Sequence, residues 1–319
     1  MALKINQLRT ISMIAKCGSI RGASRFLGVS QPALTKTLRD LENSLGTQVV
    51  IRGSQGVTLT PIGEQLLFHA NLILREMDIA EEYIKQILGQ HEGTINIGIG
   101  ASVACELMPQ VIRKFRMKYP HVRIKIQEGQ LEMHIEQLRQ GKLDFAINTV
   151  QSDLDLHEFT KEKVIEMPFK LMARKGHPKL KEQNLEALLT CDWIMPTTGI
   201  SFLNIINELL SMKGKRLMHS ITCESYLSEL SIISQTDCIG LVSSAAIEHY
   251  TYASKLAEIV LDPPLPLATY YLVCRKSSQL TPLASELAKL FKYQSRPLFT
   301  GINQTVADSN SSMNNDNKG

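Results

Sequence analysis

The chain has 319 residues, of which 44% are hydrophobic and 21% charged, an ordinary composition for a globular protein of two or three domains. It has no run of eighteen apolar residues, and its N-terminus lacks an apolar segment with a small-residue cleavage site. We therefore expect no membrane span, no secretion and a cytoplasmic location. The net charge of +4 is uneven, because residues 1–60 hold eight Lys and Arg against two Asp and Glu. This imbalance indicates that the N-terminal part binds a polyanion.

The cysteines are scattered, with no CxxC pair and no companion histidines at metal-ligand spacing. We expect free, buried thiols in a reducing compartment and neither a metal nor a cofactor. A redox sensor that uses one cysteine pair is the alternative. The six residues are Cys17, Cys105, Cys191, Cys223, Cys238 and Cys274.

Three helices are predicted at the start of the chain. Residues 6–17 form the first, because their apolar side chains recur on one face. The second covers residues 20–27, with Ser19 as its N-cap and Gly28 as a left-handed stop. Ser30 then caps the third helix, so that only three residues separate it from the second.

The third helix has two unlike faces. Leucines at spacings of four, three and four form one face, and side chains that can donate hydrogen bonds to phosphates or base edges form the other. Such a helix, set three residues after another, is typical of a helix-turn-helix motif. An ordinary helical hairpin with a solvated polar face is the alternative. The leucine face holds Leu34, Leu38, Leu41 and Leu45, and the polar face Gln31, Thr35, Lys36 and Arg39.

Residues 47–60 alternate in polarity and contain Gly53 and Gly56, which predicts a small two-stranded wing. Arg52 would lie at its tip, near the phosphates of bound DNA. It is the only clear cation of the wing, and a solvated turn charge is the alternative for it.

A long helix is predicted to run from Pro61 to Leu88, with Thr60 as its cap and a length of about 42 Å. Its apolar side chains recur at spacings of three and four, as in a heptad seam. A lone helix of this length has too little protein around it to cover the seam, so we expect a homodimer. An intrachain seam is the alternative. The seam consists of Ile62, Leu66, Ala70, Ile73, Met77, Ala80, Ile84 and Ile87.

From Gly93 onward, strands alternate with helices of about ten to fifteen residues, which predicts doubly wound parallel sheets. A second half is inserted into the first, and the chain returns to the first half through the Pro-rich segment 262–268. Predicted strands cover 94–100, 122–128, 143–149, 168–174, 193–196, 220–224, 238–244 and 269–276, and helices cover 105–118, 132–140, 202–212, 227–235 and 282–294.

The first sixty residues contain GSIRGASRFLGVSQPALTKTLRDLENSLGTQVVIR, and LTPIGEQLL follows at once. Further on, the chain contains GTINIGIGASVACELMPQVIRKFRMKYP and LRQGKLDFAI. In these segments the chain closely resembles the LysR-type transcriptional regulators. The match is dense in the N-terminal part. Over residues 93–296 it is looser and also depends on the order of strands and helices.

The resemblance implies an α/β protein with an N-terminal winged helix-turn-helix and a periplasmic-binding-protein-like sensor of two doubly wound subdomains. It also implies a regulator, not an enzyme, that binds double-stranded DNA at an inverted repeat, responds to a small-molecule co-inducer, forms homotetramers and contacts RNA polymerase. The implied parts are the DNA-binding domain 1–60, the dimerising linker helix 61–88, effector-binding subdomain 1 (93–163 and 269–296) and effector-binding subdomain 2 (164–268). Separately from the resemblance, residues 301–319 are predicted to be a disordered tail, because they are mostly Asn, Ser, Asp and Gly and have no periodicity.

For DNA, we expect the third helix to enter the major groove. Gln31 can pair with adenine and Arg39 with guanine or phosphate, while Thr35 and Lys36 can contact the backbone. The full set of predicted DNA-binding residues is Ser30, Gln31, Pro32, Ala33, Thr35, Lys36, Arg39 and Arg52.

For the effector, we expect the loops after the strands to supply contacts, because ligands of open α/β sheets bind beyond the carboxyl ends of strands. Acidic residues and few cations in these loops favour a cationic or zwitterionic effector such as an amine, unless the acids are solvated or cap helices. A hinge near residues 164–167 and 264–268 would close the two halves. The predicted effector-binding residues are Ser102, Gln130, Thr149, Thr198, Ser201, Phe202, Glu224 and Ser243.

Two other classes of function compete with a regulator. An enzyme is disfavoured because the chain contains no P-loop, HExxH, GxSxG or complete GxGxxG motif. An architectural DNA binder without an effector is disfavoured by about two hundred residues of α/β sensor, which such a protein does not need.

Overall fold

The computed structural model describes residues 2–53, 56–150, 154–196, 206–207, 210–211, 214–217, 221–223, 225–243 and 253–293. The chain forms two compact units, one from residues 1–90 with 139–142 and the other from the remaining residues. Within the described part, no helix is both long and apolar enough to cross a membrane.

The N-terminal unit begins with the helices α1 (Ile5–Cys17), α2 (Ile20–Leu27) and α3 (Gln31–Leu45). The predicted caps are confirmed: Ser19 accepts a hydrogen bond from the backbone N–H of Gly22 at 3.0 Å, and Ser30 accepts one from Ala33 at 3.3 Å. Gly28 ends α2 at φ 66°, in the left-handed region that glycine adopts without strain.

The three helices enclose one small hydrophobic core. Three leucines of the predicted face of α3 are buried, and the fourth, Leu45, packs at the edge of the cluster. The period of the leucines therefore places the polar face of α3 away from the core, as the sequence predicts. The buried core residues include Leu8, Ile11, Ile14, Ala23, Leu34, Leu38 and Leu41.

The strands β1 (Val50–Gly53) and β2 (Gly56–Leu59) pair antiparallel and form the predicted wing, in which Arg52 lies opposite Val57. The wing is fixed to the helices where the backbone N–H of Val57 donates to the carbonyl of Gly18 at 2.8 Å. At Gly56, with φ 131°, an added Cβ would lie 2.5 Å from that same carbonyl oxygen, so a side chain has no room there.

Helix α4 (Pro61–Ile87) has 27 residues and is about 40 Å long. Its start is capped by Thr60, which accepts a hydrogen bond from the N–H of Gly63 at 3.0 Å. Leu66 and Ala70 of the predicted seam pack on the N-terminal core, so for these two residues the intrachain alternative holds. Five other members of the seam are exposed, namely Ala80 and the isoleucines Ile62 (52%), Ile73 (43%), Ile84 (59%) and Ile87 (64%).

The second unit contains two five-stranded sheets. In chain order its elements are β3 (Thr94–Ile99), α5 (Ala101–Glu106), α6 (Met108–Lys118), β4 (Arg123–Glu128), α7 (Leu131–Arg139), β5 (Phe145–Thr149), β6 (Phe159–Met167), β7 (Phe169–Arg174), β8 (Trp193–Pro196), β9 (Ile221–Cys223), α8 (Tyr226–Gln235), β10 (Ile239–Ser243), β11 (Leu256–Ile259), β12 (Ala268–Arg275) and α9 (282–293). Short 3-10 helices cover Leu185–Thr190 and Ala253–Lys255.

The first sheet has the strand order β4-β3-β5-β12-β6, and the second has the order β11-β7-β10-β8-β9. The strand β3 is parallel to β4 and β5, whereas β12 runs antiparallel to β5 and β6. In the second sheet, β8 is parallel to β9 and β10. Apolar side chains from both sheets and from α6 and α9 form one continuous core. Of the predicted helix 202–212, the described residues 206, 207, 210 and 211 are helical.

Two strands, β6 and β11, were not predicted from the sequence. The strand β6 lies at the edge of the first sheet, where the exposed side chains Lys161, Glu162 and Lys163 hide any apolar alternation. Residues 164–167 are therefore strand residues of the first sheet. Residues 165–167 pair with residues 268–270 of β12, so the predicted start of the second subdomain at residue 164 was placed a few residues too early. The hinge expected near residues 164–167 stays a prediction.

Candidate functional site

The polar face of α3 forms an open groove on the surface of the N-terminal unit. Gln31, Pro32, Thr35, Lys36 and Arg39 line it, so five of the predicted DNA-binding residues lie together. Thr35 is half-buried and the other four are exposed. This groove offers an amide, a hydroxyl, an ammonium and a guanidinium group to one ligand surface.

The wing adds a second depression next to this groove, and Arg39 and Arg52 both line it. Its lining also includes Asn43, Thr47 and Gln48, which the sequence analysis did not single out. Only their position could have indicated them, since Asn43 lies in the last turn of α3 and Thr47 and Gln48 lie between α3 and β1. The third helix and the wing therefore present one continuous surface that carries two guanidinium groups.

The cations of this surface have no acidic partner in the part of the chain that the structure describes. Within the described residues, Lys36, Arg39 and Arg52 form no ion pair, and the nearby carboxylate of Glu42 accepts from the backbone N–H of Val49 at 3.1 Å. Exposed cations without counter-ions are free to replace the counterions of a phosphate backbone. Ser30 and Ala33 are exposed at the start of the same helix.

In the second unit, three predicted effector residues lie at the carboxyl ends of the parallel strands β3, β4 and β5. Ser102, after β3, is buried and forms a hydrogen bond with the phenol of Tyr270, whose pKa is raised by burial. Gln130 and Thr149 are half-buried. Tyr270 was missed by the sequence analysis because it belongs to β12, more than a hundred residues later in the chain.

A buried imidazole joins the loops that carry these residues. His134 is fully buried, and its Nδ1–H donates to Oδ1 of Asn148 at 2.8 Å, while Nδ2 of Asn148 donates to the carbonyl of Gly129 at 3.0 Å. Burial lowers the pKa of His134, so the ring is neutral near pH 7. A Cβ on Gly98 would lie 2.7–2.8 Å from three ring atoms, so β3 leaves room for the imidazole only because residue 98 is glycine.

Five predicted effector residues cannot be placed. Thr198, Ser201, Phe202 and Glu224 lie outside the described residues, and so does the side chain of Ser243, although that residue ends β10. Among the described residues, no group of three His, Cys, Asp or Glu side chains could hold a metal ion. All six cysteines are free thiols, but only Cys238 is buried and the other five are half-buried, so the expectation of buried thiols was wrong for those five.

Comparison with known families gives two matches that together cover most of the chain. Residues 5–64 match the model described as "Bacterial regulatory helix-turn-helix protein, lysR family", and residues 88–296 match "LysR substrate binding domain". The second match alone spans more than half of the sequence. The chain belongs to the LysR family.

This LysR-type regulator has relatives of known name over nearly its whole length. It is 27% identical over 289 residues to the HTH-type transcriptional regulator TdcA of Escherichia coli K12, an alignment that covers 91% of this chain and 92% of TdcA. It is therefore a DNA-binding transcriptional regulator with an effector-binding domain.

Two solved structures share its fold. A full-length OxyR variant from Pseudomonas aeruginosa has a TM-score of 0.67 at 19% identity, with 93% of this chain and 95% of that chain covered. Full-length CbnR complexed with its target DNA has a TM-score of 0.66 at 16% identity, with 92% and 100% covered. These likenesses establish the α/β architecture of the LysR-type regulator.

Proposed function

We propose that this LysR-type regulator reads an inverted-repeat operator with two copies of α3, each in a major groove. The observation that carries the proposal is the groove lined by the polar face of α3, whose cations have no ion-pair partner within the described residues. Gln31 pairs with a base edge and fixes sequence preference, whereas Lys36 and Arg52 neutralise phosphates. Ser30, Pro32, Ala33, Thr35 and Arg39 complete the contact surface.

The two copies of α3 are held together through α4. Ile62, Ile73, Ile84 and Ile87 lie within about 60° of the helix circumference, at 100° per residue. All four are exposed in the single chain. A partner helix would cover this stripe, which supports a homodimer through residues 61–88. Homotetramers formed by pairing of two dimers and contact with RNA polymerase belong to the same proposal.

The effector binds at the carboxyl ends of the strands of the two sheets. Ser102, Gln130 and Thr149 on the first sheet support this site, and Tyr270 joins them through its hydrogen bond to Ser102. The chain crosses between the sheets after Met167 and again between β11 and β12, so closure about these crossings is the conformational change. A ligand that favours one pose shifts the population of DNA-binding arrangements, and the protein carries out no catalysis.

Footprinting of DNA upstream of the regulator's own gene tests the proposal. We expect protection of two half-sites with dyad symmetry, about 10 bp or a multiple of that apart, and a change in the footprint when the effector is added. Light scattering on the same sample should give a mass of two or four chains. A single unsymmetrical half-site bound by a monomer would contradict the proposal.

A further inference from the structure

The second sheet also has a carboxyl edge, and α8 begins there. Because β8 is parallel to both β9 and β10, the carboxyl ends of these three strands lie at the same edge. Ser225 follows β9 closely and caps α8, accepting from the N–H of Ser228 at 3.3 Å. The first turn of α8 therefore lies where open α/β sheets bind ligands.

Glu229 lies about one helical turn, or roughly 6 Å, from this cap. Its side chain is only 2% exposed, and it shares the buried face of α8 with Leu230 and Ile233. Within the described residues, its buried Oε1 has no hydrogen-bond partner. Burial raises the pKa of Glu229 to about 8, and no neighbouring cation opposes that shift. A buried carboxyl group without a partner is unfavourable, so its presence calls for a reason, and a bound ligand is one such reason.

Among the described residues of the elements that pack on α8, no unpaired cation is available to this carboxyl group. The helix α8 packs on β7, β8, β9 and β10, and β8 and β10 contain no titratable residue. On β7, Lys170 is paired with Glu258 at 2.7 Å and Arg174 with Asp237 at 2.6 Å. The other titratable groups of these elements are the thiol of Cys223 and the phenol of Tyr226, which do not supply a positive charge near pH 7. In the sequence, no Lys or Arg occurs between Arg216 and Lys255.

We propose that Glu229 is the counter-ion for an ammonium group of the effector, which makes the effector a small amine or an amino-acid-like zwitterion. This inference rests on the proposed effector site at the carboxyl edges of the sheets. The free protein holds Glu229 protonated. As the ammonium group arrives, the carboxyl group gives its proton to solvent, and a carboxylate–ammonium pair forms in the buried site. Binding of the cation is therefore coupled to the release of one proton.

Thermal-shift measurements with defined probes test the ligand class. The probes are putrescine, ethanolamine and glycine. Each is compared with the analogue in which hydroxyl groups replace the amino groups: 1,4-butanediol, ethylene glycol and glycolate, respectively. We expect at least one amine to raise Tm while its analogue does not. A panel in which no amine stabilises the protein, or in which the analogues act equally, overturns the proposal.

Calorimetry of the stabilising amine in two buffers of different ionisation enthalpy tests the coupling. About one proton should be released per amine at pH 7, and affinity should rise roughly tenfold per pH unit below pH 7 and level off above about pH 8. Glu229→Gln should weaken binding at least about tenfold and abolish the proton release. Glu258→Gln, which removes a carboxylate already paired with Lys170, should leave both unchanged. Equal binding by Glu229→Gln and the unaltered protein would refute the role of Glu229.

The pH dependence of folding stability, measured without ligand, tests whether Glu229 is unpaired independently of the amine panel. The folded-state pKa of Glu229 is raised above the ordinary 4.5, so the folded protein binds more protons than the unfolded chain between about pH 4.5 and 8. Stability from this group is therefore lost as pH rises through that window, and Glu229→Gln should flatten the loss. Identical pH profiles for the two proteins would mean that Glu229 already has a partner. Gel shifts on upstream DNA, run with both variants, report separately on the proposed DNA-binding function.

Discussion

The polar face of α3 and the carboxyl edges of the two sensor sheets both carry polar groups that have no partner within the described residues. On α3 these groups are exposed to solvent, whereas in the sensor they are buried. On α3, Lys36 and Arg39 are exposed, and water solvates them at little energetic cost; in the proposed complex, DNA would replace that water. At the sensor edge, His134 and Glu229 are buried, where each polar group needs a partner. Nδ1 of the neutral His134 ring has a partner in Asn148 although its Nε2 has none, whereas in Glu229 the unpartnered atom, Oε1, belongs to an acid that must lose a proton before it can pair with a cation; both absences refer to the described residues. An unpaired exposed cation is thus expected of a DNA-binding surface, while an unpaired buried acid calls for a specific ligand.

The largest expected effect is a loss of stability, from a substitution on the buried leucine face of α3. Leu38→Ala removes a fully buried side chain of α3 and should destabilise the N-terminal unit by about 2–5 kcal/mol. Urea unfolding followed by circular dichroism measures this. Asp40→Ala, at an exposed position of the same helix outside the leucine face, is the control and should change stability much less. Equal losses would show that the leucine face does not support α3.

The buried network of the sensor should be nearly as sensitive. Gly98→Ala places a Cβ against the imidazole of His134 and should cost about 1–3 kcal/mol through overpacking. Hydrogen exchange should also become faster in the loop at residues 129–130, which the His134–Asn148 pair holds. Gly89→Ala is the control for overpacking, because no atom lies within 4 Å of its added Cβ. At φ 86° the alanine backbone would be strained, so any loss of stability in this control reports backbone strain and not packing. Unchanged hydrogen exchange at residues 129–130 would show that the His134–Asn148 pair does not hold this loop in place.

Changes on the exposed face should alter DNA binding without altering folding. Gln31→Ala removes the amide that we expect at a base edge and should cost about 1–3 kcal/mol of binding to the preferred site, with random DNA little affected. Gel shifts on operator and random duplexes at the same salt concentration measure the ratio. Loss of affinity for both duplexes alike would contradict a role in base reading.

The smallest effect should follow from a phosphate contact. Lys36→Ala should weaken binding to all sequences alike and lower the slope of log K against log salt by about 1. Titrations from low to physiological salt measure the slope, and Tm should stay unchanged because the side chain is exposed. If Lys36→Ala lost sequence preference but kept the salt slope of the unaltered protein, Lys36 would have the base-reading role that we assign to Gln31.

The structure bears out the local features that the sequence predicts. The caps Ser19, Ser30 and Thr60 and the left-handed Gly28 lie where expected, because a cap depends on residues three or four positions apart. The strands of the sensor were predicted where apolar residues dominate, as in β3 and β5. The charged edge strand β6 was missed, because its position at the sheet edge depends on β12, about a hundred residues later.

By itself, the sequence determined the N-terminal unit almost entirely. Periodicity, caps and charge there act over a few residues, so the leucine face and the polar face of α3 follow directly from spacing. Only the tertiary structure decided which polar groups meet at the sensor edge. The pair of Ser102 with Tyr270 depends on the return of the chain to the first sheet at β12. The pair of His134 with Asn148, and the lack of a partner for Oε1 of Glu229 within the described residues, depend on burial. Burial determines whether a polar group is solvated or needs a partner, and spacing along the chain does not encode it.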